Sequence, residues 1–136
     1  MVRKVVIACD DSPHSRIAVD LAMQQIVHKS TDEIHLVHVL PPTSAAAPYP
    51  MAPVASAAAV TAVQHGIAAQ RAAEAAHGID TLRLATELVV LDYKVPRNSV
   101  HCHVRPSVGG ASGVSEAVCD AAKAQGADMV VVGSRG

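Results

Sequence analysis

The chain has 136 residues, half of them hydrophobic, and a formal net charge of −1, which fits one domain able to bury roughly two-thirds of its unfolded surface without disulfide or metal staples. Phe and Trp are absent and Tyr49 and Tyr93 are the only aromatics, so a base-stacking platform is excluded, and the eleven Lys and Arg form no basic run that would grip nucleic acid. Three cysteines without CxxC spacing argue against a disulfide framework or structural zinc and for a reducing compartment, the cytoplasm; no apolar run is long enough to cross a membrane or to form a signal-peptide core.

The run Lys4 to Cys9 (KVVIAC) is short, β-branched and continuously apolar, as expected of a parallel strand covered on both faces. A helix follows at once: Ser12 can cap it, Pro13 suits its first position, and Ala18, Leu21, Ala22 and Ile26 recur at helical spacing. Glu33 to Leu40 (EIHLVHVL) is a second strand with Ile34, Leu36, His38 and Leu40 on one face and Glu33, His35, Val37 and Val39 on the other. Residues 41–56, rich in Pro, Ala and Ser, form a loop. Residues 54–93 have helical character with Val60, Val63, Ile67, Ile79, Leu82 and Val89 near the helical period, and Gly78 predicts a kink or break.

Val100 to Arg105 alternates, Val100, Cys102 and Val104 against His101, His103 and Arg105, which predicts an edge strand with one wet face. After a Gly/Ser loop, Ser112 or Ser115 can cap a helix that runs to Gln125, with Val114, Val118, Ala121 and Ala122 inward and Gly126 ending it. Met129 to Val132 is again continuously apolar. The alternation of strands and helices predicts an open parallel sheet with helices on both faces, and an edge position for the third strand leaves the first strand between the second and the fourth.

Ligands bind such sheets beyond the carboxyl ends of the strands, where the strand order reverses. Asp10-Asp11-Ser12 follows the first strand and Gly133-Ser134-Arg135-Gly136 the fourth, so the two segments meet if those strands are neighbours. Gly133 and Gly136 let backbone amides crowd an anion. The bland alternative is an ordinary strand-ending turn, with Asp10 only a helix-start charge and Ser12 only a cap.

The segments KVVIACDDSPHSRIAVDLA, EIHLVHVLPP and GADMVVVGSRG, in that order, resemble a universal stress protein domain over essentially the whole chain, residues 1–136. The resemblance implies an α/β fold of the adenine nucleotide alpha hydrolase-like type, a parallel sheet in the order 3-2-1-4 with a fifth strand missing from this chain, a homodimer, and ATP in the crevice. Gly133 and Gly136 match the start of the family's Gly-x-x-Gly phosphate motif; the remaining Gly and Ser or Thr would lie past residue 136, so the domain is expected to be C-terminally incomplete. It assigns nucleotide contact to Asp10, directly or through Mg2+, and the adenine-edge backbone contact to Val39, with Ser134 and Arg135 beside the phosphates. Asp11 stands where the family commonly has glycine and either crowds the pocket or adds an acidic ligand.

His35 and His38 point to opposite faces of one strand, whereas His101 and His103 share a face but lack a third ligand nearby in sequence, so a solvated edge outweighs a metal site. Cys9, Cys102 and Cys119 read as buried thiols without a role. No Walker lysine or base for water is evident, so any ATP hydrolysis is expected to be slow. The alternatives to a nucleotide-binding stress domain are a dimerisation module of the same fold that binds no nucleotide and, last, a flavodoxin-like carrier or adenylating enzyme, whose loops CDDS does not match.

Overall fold

The computed structural model describes residues 2–40, 57–107 and 113–133. Strand β1 (Lys4–Ala8) leads to helix α1 (Pro13–Leu21), which widens into a π-helical turn at Ala22–Ile26; β2 (Glu33–Leu40) follows. Helix α2 (Ala57–Glu87) likewise ends in a π-helical turn, Leu88–Asp92, before β3 (Val100–Pro106), α3 (Gly113–Gln125) and β4 (Met129–Val131). All strand pairs are parallel, in the order β3-β2-β1-β4, as the sequence predicts. The 41–56 loop and Ser112 lie outside the described residues.

Right-handed crossovers dictate the layers. The steps from β1 to β2 and from β2 to β3 run the same way across the sheet, so α1 and α2 share a face. The step from β3 back to β4 runs the other way and puts α3 on the opposite face. The core divides accordingly. Val5, Ile7, Cys9, Ile34 and Leu36 pack with Val19, Ala22 and Met23 of the first helical segment and with Leu82 and Val89, while Val6 and Val37 pack with Ala121 and Ala122 of α3.

Several local expectations shift. In the first helical segment the buried residues include Ala18, Val19, Ala22 and Met23, whereas Leu21, expected on the inward stripe, is 47% exposed and faces away from the sheet. The same happens at Ile79 and Val114, which face solvent while Leu82 and Ala117 are buried. Ser115 lies inside α3 and does not cap it. Gly78 does not break α2, which passes through it. A Cβ there would lie 2.6 Å from Cδ2 of His38, so the glycine serves close packing of helix on strand. Continuous apolarity did not mean burial in β4: Val130 is 42% exposed, because among the described strands β4 stands at the sheet margin. Cys9 is buried as expected, but Cys102 and Cys119 are exposed.

Gly126 does end α3. Its φ of +65° lets its N–H donate to the Lys123 carbonyl while Ala127 N–H donates to that of Ala122, a Schellman closure that aims the chain into β4.

Candidate functional site

At the carboxyl end of β1 a cavity of about 440 Å3 opens between the β1–α1 turn and helix α2, a size suited to a small-molecule ligand. The β1–α1 turn lines it with Cys9, Asp10, Asp11 and Ser12; α1 contributes Ser15, Arg16 and Val19; α2 contributes His77, Asp80, Thr81, Arg83 and Leu84.

The turn is held by its own polar groups. Cys9 N–H donates to the Val37 carbonyl at 2.7 Å, carrying the β1–β2 ladder one residue past the strand, and His38 Nδ1 donates to the Cys9 carbonyl at 2.9 Å. Asp10 N–H donates to Ser15 Oγ at 2.9 Å, Asp10 Oδ1 accepts from Ser12 N–H at 2.7 Å, and Ser12 Oγ accepts from Ser15 N–H at 3.2 Å. Ser12 is thus the helix cap, with Pro13 at the first helical position. These contacts fix the Asp10 carboxylate at the cavity and use only one of its oxygens among the described residues. Burial pushes the Cys9 thiol up to about 12, so it is a neutral core group and no nucleophile.

Asp11 does not crowd the cavity. Its Oδ2 lies 3.0 Å from His77 Nε2, joining the β1–α1 turn to α2 at the cavity mouth, where both side chains are more than half exposed. The two lining arginines are paired with carboxylates: Arg16 stands 3.9 Å from Asp20, and Arg83 stands 3.5 Å from both Asp80 and Glu87.

The other sequence-predicted residues take distinct places. Gly133 is brought to α1 by the pairing of β1 with β4; a Cβ there would lie 3.2 Å from the His14 carbonyl oxygen, so glycine allows the chain leaving β4 to run against the first helical turn. The ends of β1 and β4 therefore do meet. Val39 sits near the end of β2, opposite Arg105, with its side chain packed toward the α3 layer. Neither Val39 nor Gly133 lines the cavity. Ser134, Arg135 and Gly136 lie outside the described residues.

Two groupings are not visible in the sequence, although His35, His101 and His103 stand out there one by one. The α2 wall, from His77 to Leu84, has no motif and becomes part of the site only because α2 packs beside α1. The second set is a histidine cluster at the opposite end of the sheet. Parallel pairing sets His35 opposite His101 and Val37 opposite His103, so the buried His35 ring stacks on both neighbouring imidazoles, at centroid distances of 4.8 and 5.1 Å. His35 Nε2 lies 2.6 Å from Glu33 Oε1 and its Nδ1 2.8 Å from His103 Nε2. Burial holds His35 and His103 below the ordinary imidazole range, and the hydrogen bond from His35 holds the Glu33 carboxyl below its usual value.

Among the described residues no helix is long and apolar enough to cross a membrane. Comparison with known proteins agrees with the fold. Universal stress protein UspA from Lactobacillus plantarum superimposes with a TM-score of 0.59 at 18% identity, covering 98% of this chain and 78% of that one. Hypothetical protein MJ0577, the subject of a structure-based assignment of biochemical function, gives 0.61 at 14% identity with 98% and 76% covered. A universal stress protein family member from Burkholderia pseudomallei gives 0.51 at 14% identity with 96% and 80% covered. No curated protein matches the sequence. The sequence signature of the universal stress protein family matches residues 1–136, and the chain belongs to that family.

Proposed function

We propose that the crevice beyond β1 binds an adenine nucleotide, ATP with Mg2+, as a structural or signalling ligand in a stress response. The observation that supports this most is the placement of Asp10: a fixed carboxylate with one free oxygen among the described residues, in the lining of a ligand-sized cavity at a strand carboxyl end. A carboxylate repels bare phosphate but accepts from ribose hydroxyls and ligates Mg2+, so this donor set fits the nucleotide with its cation. Arg16 and Arg83 supply positive charge at the mouth, and the segment Gly133-Ser134-Arg135-Gly136 would supply amides to the phosphates, as the family motif implies. The N–H and C=O of Val39 read the adenine edge. No lysine lines the cavity among the described residues, so ATP serves as a ligand and its hydrolysis is slow. The functional unit is a homodimer.

The test is to denature the purified protein and analyse the released small molecules by mass spectrometry, alongside calorimetric titration with Mg-ATP. Wild type is expected to release ATP or AMP, and Asp10→Ala to lose it. A folded wild type that carries no nucleotide and does not bind Mg-ATP at millimolar concentration would refute this reading and leave a dimerisation module of the same fold.

A further inference from the structure

We propose that Glu33, His35 and His101 form a binding site for a divalent metal of the zinc class, separate from the nucleotide crevice. Glu33 pairs with Lys4 at the start of β1, whereas the crevice follows Ala8 at the other end of that strand. His35 also shares its side of β2 with Val37, which packs on the α3 layer, whereas the crevice lies among α1 and α2. The two sites thus occupy opposite ends and opposite faces of the sheet.

The donor set has the right chemistry. Two imidazole nitrogens and one carboxylate oxygen lie within 4.8 Å of one another, a ligand combination that Zn2+ accepts with an open fourth position. With metal–ligand bonds of roughly 2.0–2.2 Å, tetrahedral ligands stand about 3.3–3.5 Å apart. His101 Nε2 and Glu33 Oε1 already do, at 3.5 Å. His35 Nε2 and Glu33 Oε1, at 2.6 Å, are spaced for a shared proton, and Glu33 must withdraw by about 0.7 Å for a metal to take that proton's place. Glu33 and His101 are part-exposed and free to adjust, while His35 is nearly fully buried and held between its neighbours.

The tautomers follow from the same network. Without metal, His35 Nε2–H donates to Glu33, so its Nδ1 accepts from His103 Nε2–H. A metal on Nε2 displaces that proton to solvent. The Nε2 proton of His103 passes to Nδ1 of His35, which then donates it back in a hydrogen bond to His103 Nε2, and His103 takes up one proton from solvent on its Nδ1. His103 thereby orients the buried ligand from outside the coordination shell, as the second ring nitrogen of a metal-bound histidine requires.

The experiment is a titration of the 136-residue chain with Zn2+ in competition with a chromophoric chelator, repeated with Co2+ to read the visible absorption of the bound ion. Wild type is expected to take up one equivalent at micromolar protein, His101→Gln and Glu33→Gln to lose it, and His103→Ala to bind roughly 10–100-fold more weakly. The side chain of His101 is 44% exposed, so His101→Gln leaves the fold intact, which circular dichroism checks. Histidine side-chain NMR should show the Nε2 signals of His35 and His101 moving on metal addition. Failure of wild type to bind Zn2+ under these conditions overturns the proposal, and so does unchanged stoichiometry and affinity in His101→Gln.

Discussion

Adding one methyl group to Gly78 should destabilise the protein, although helix propensity alone says the opposite. In a helix interior Gly to Ala gains about 1 kcal/mol. Here the new Cβ would lie 2.6 Å from Cδ2 and 3.2 Å from Nε2 of His38, whereas carbon atoms in good contact stand roughly 3.5–4.0 Å apart. The ring has little room to yield: His38 is 7% exposed and tethered through Nδ1 to the Cys9 carbonyl. Swinging it away leaves both the ring nitrogen and the Cys9 carbonyl without a partner, at a cost of about 2–3 kcal/mol, and shifting α2 instead costs about as much. The net effect of Gly78→Ala is a loss of about 1–2 kcal/mol. In a His38→Ala background the obstacle is gone, and the same substitution should stabilise by about 1 kcal/mol, a change of sign and a coupling of roughly 2–3 kcal/mol. Urea unfolding of the four proteins in this cycle, followed by circular dichroism, measures both. Gly78→Ala as stable as wild type with His38 in place, or the same effect in both backgrounds, would refute the reasoning. Because the His38 bond holds the Cys9 carbonyl next to Asp10, Gly78→Ala should also weaken nucleotide binding.

The remaining predictions concern the thiols and the cavity mouth. A thiol reagent under native conditions should modify Cys102 and Cys119 and leave Cys9 until the protein unfolds, since burial alone separates them. Cys9 has a folded value of about 12 against an ordinary 9.0, so the unfolded chain loses this proton first. Its contribution to stability is present below pH 9.0 and declines as pH rises toward 12, and Cys9→Ala should flatten that slope in denaturant titrations across the alkaline range. At the mouth, Asp11→Gly removes a mostly exposed carboxylate and its contact to His77, so stability should barely change while Mg-ATP binds several-fold more tightly. Calorimetry reads the affinity, and weaker binding would mean that Asp11 is itself a ligand to the nucleotide or its cation.

How much of this was legible in the residues depended on how local the cause was. Ser12, Pro13 and Gly126 act within a turn of their own position, and each does what its chemistry suggests. Helix faces were less secure: one residue of rotation exchanges Leu21 for Met23 at the core, and the Ala-rich helices tolerate either choice until the sheet selects. Gly78 looked like a helix breaker because the reason for it, the His38 ring, lies on another element.

The residues alone carried the α/β class, the strand order and the pairing of β1 with β4, because apolar runs, caps and right-handed crossovers leave few ways to lay such a chain on one sheet. Tertiary structure alone decided the α2 wall of the crevice and the gathering of Glu33, His35, His101 and His103. The physical reason is register: parallel strands joined by a long crossover place far-separated residues side by side through main-chain hydrogen bonds, and those bonds carry no mark of which side chains they bring together.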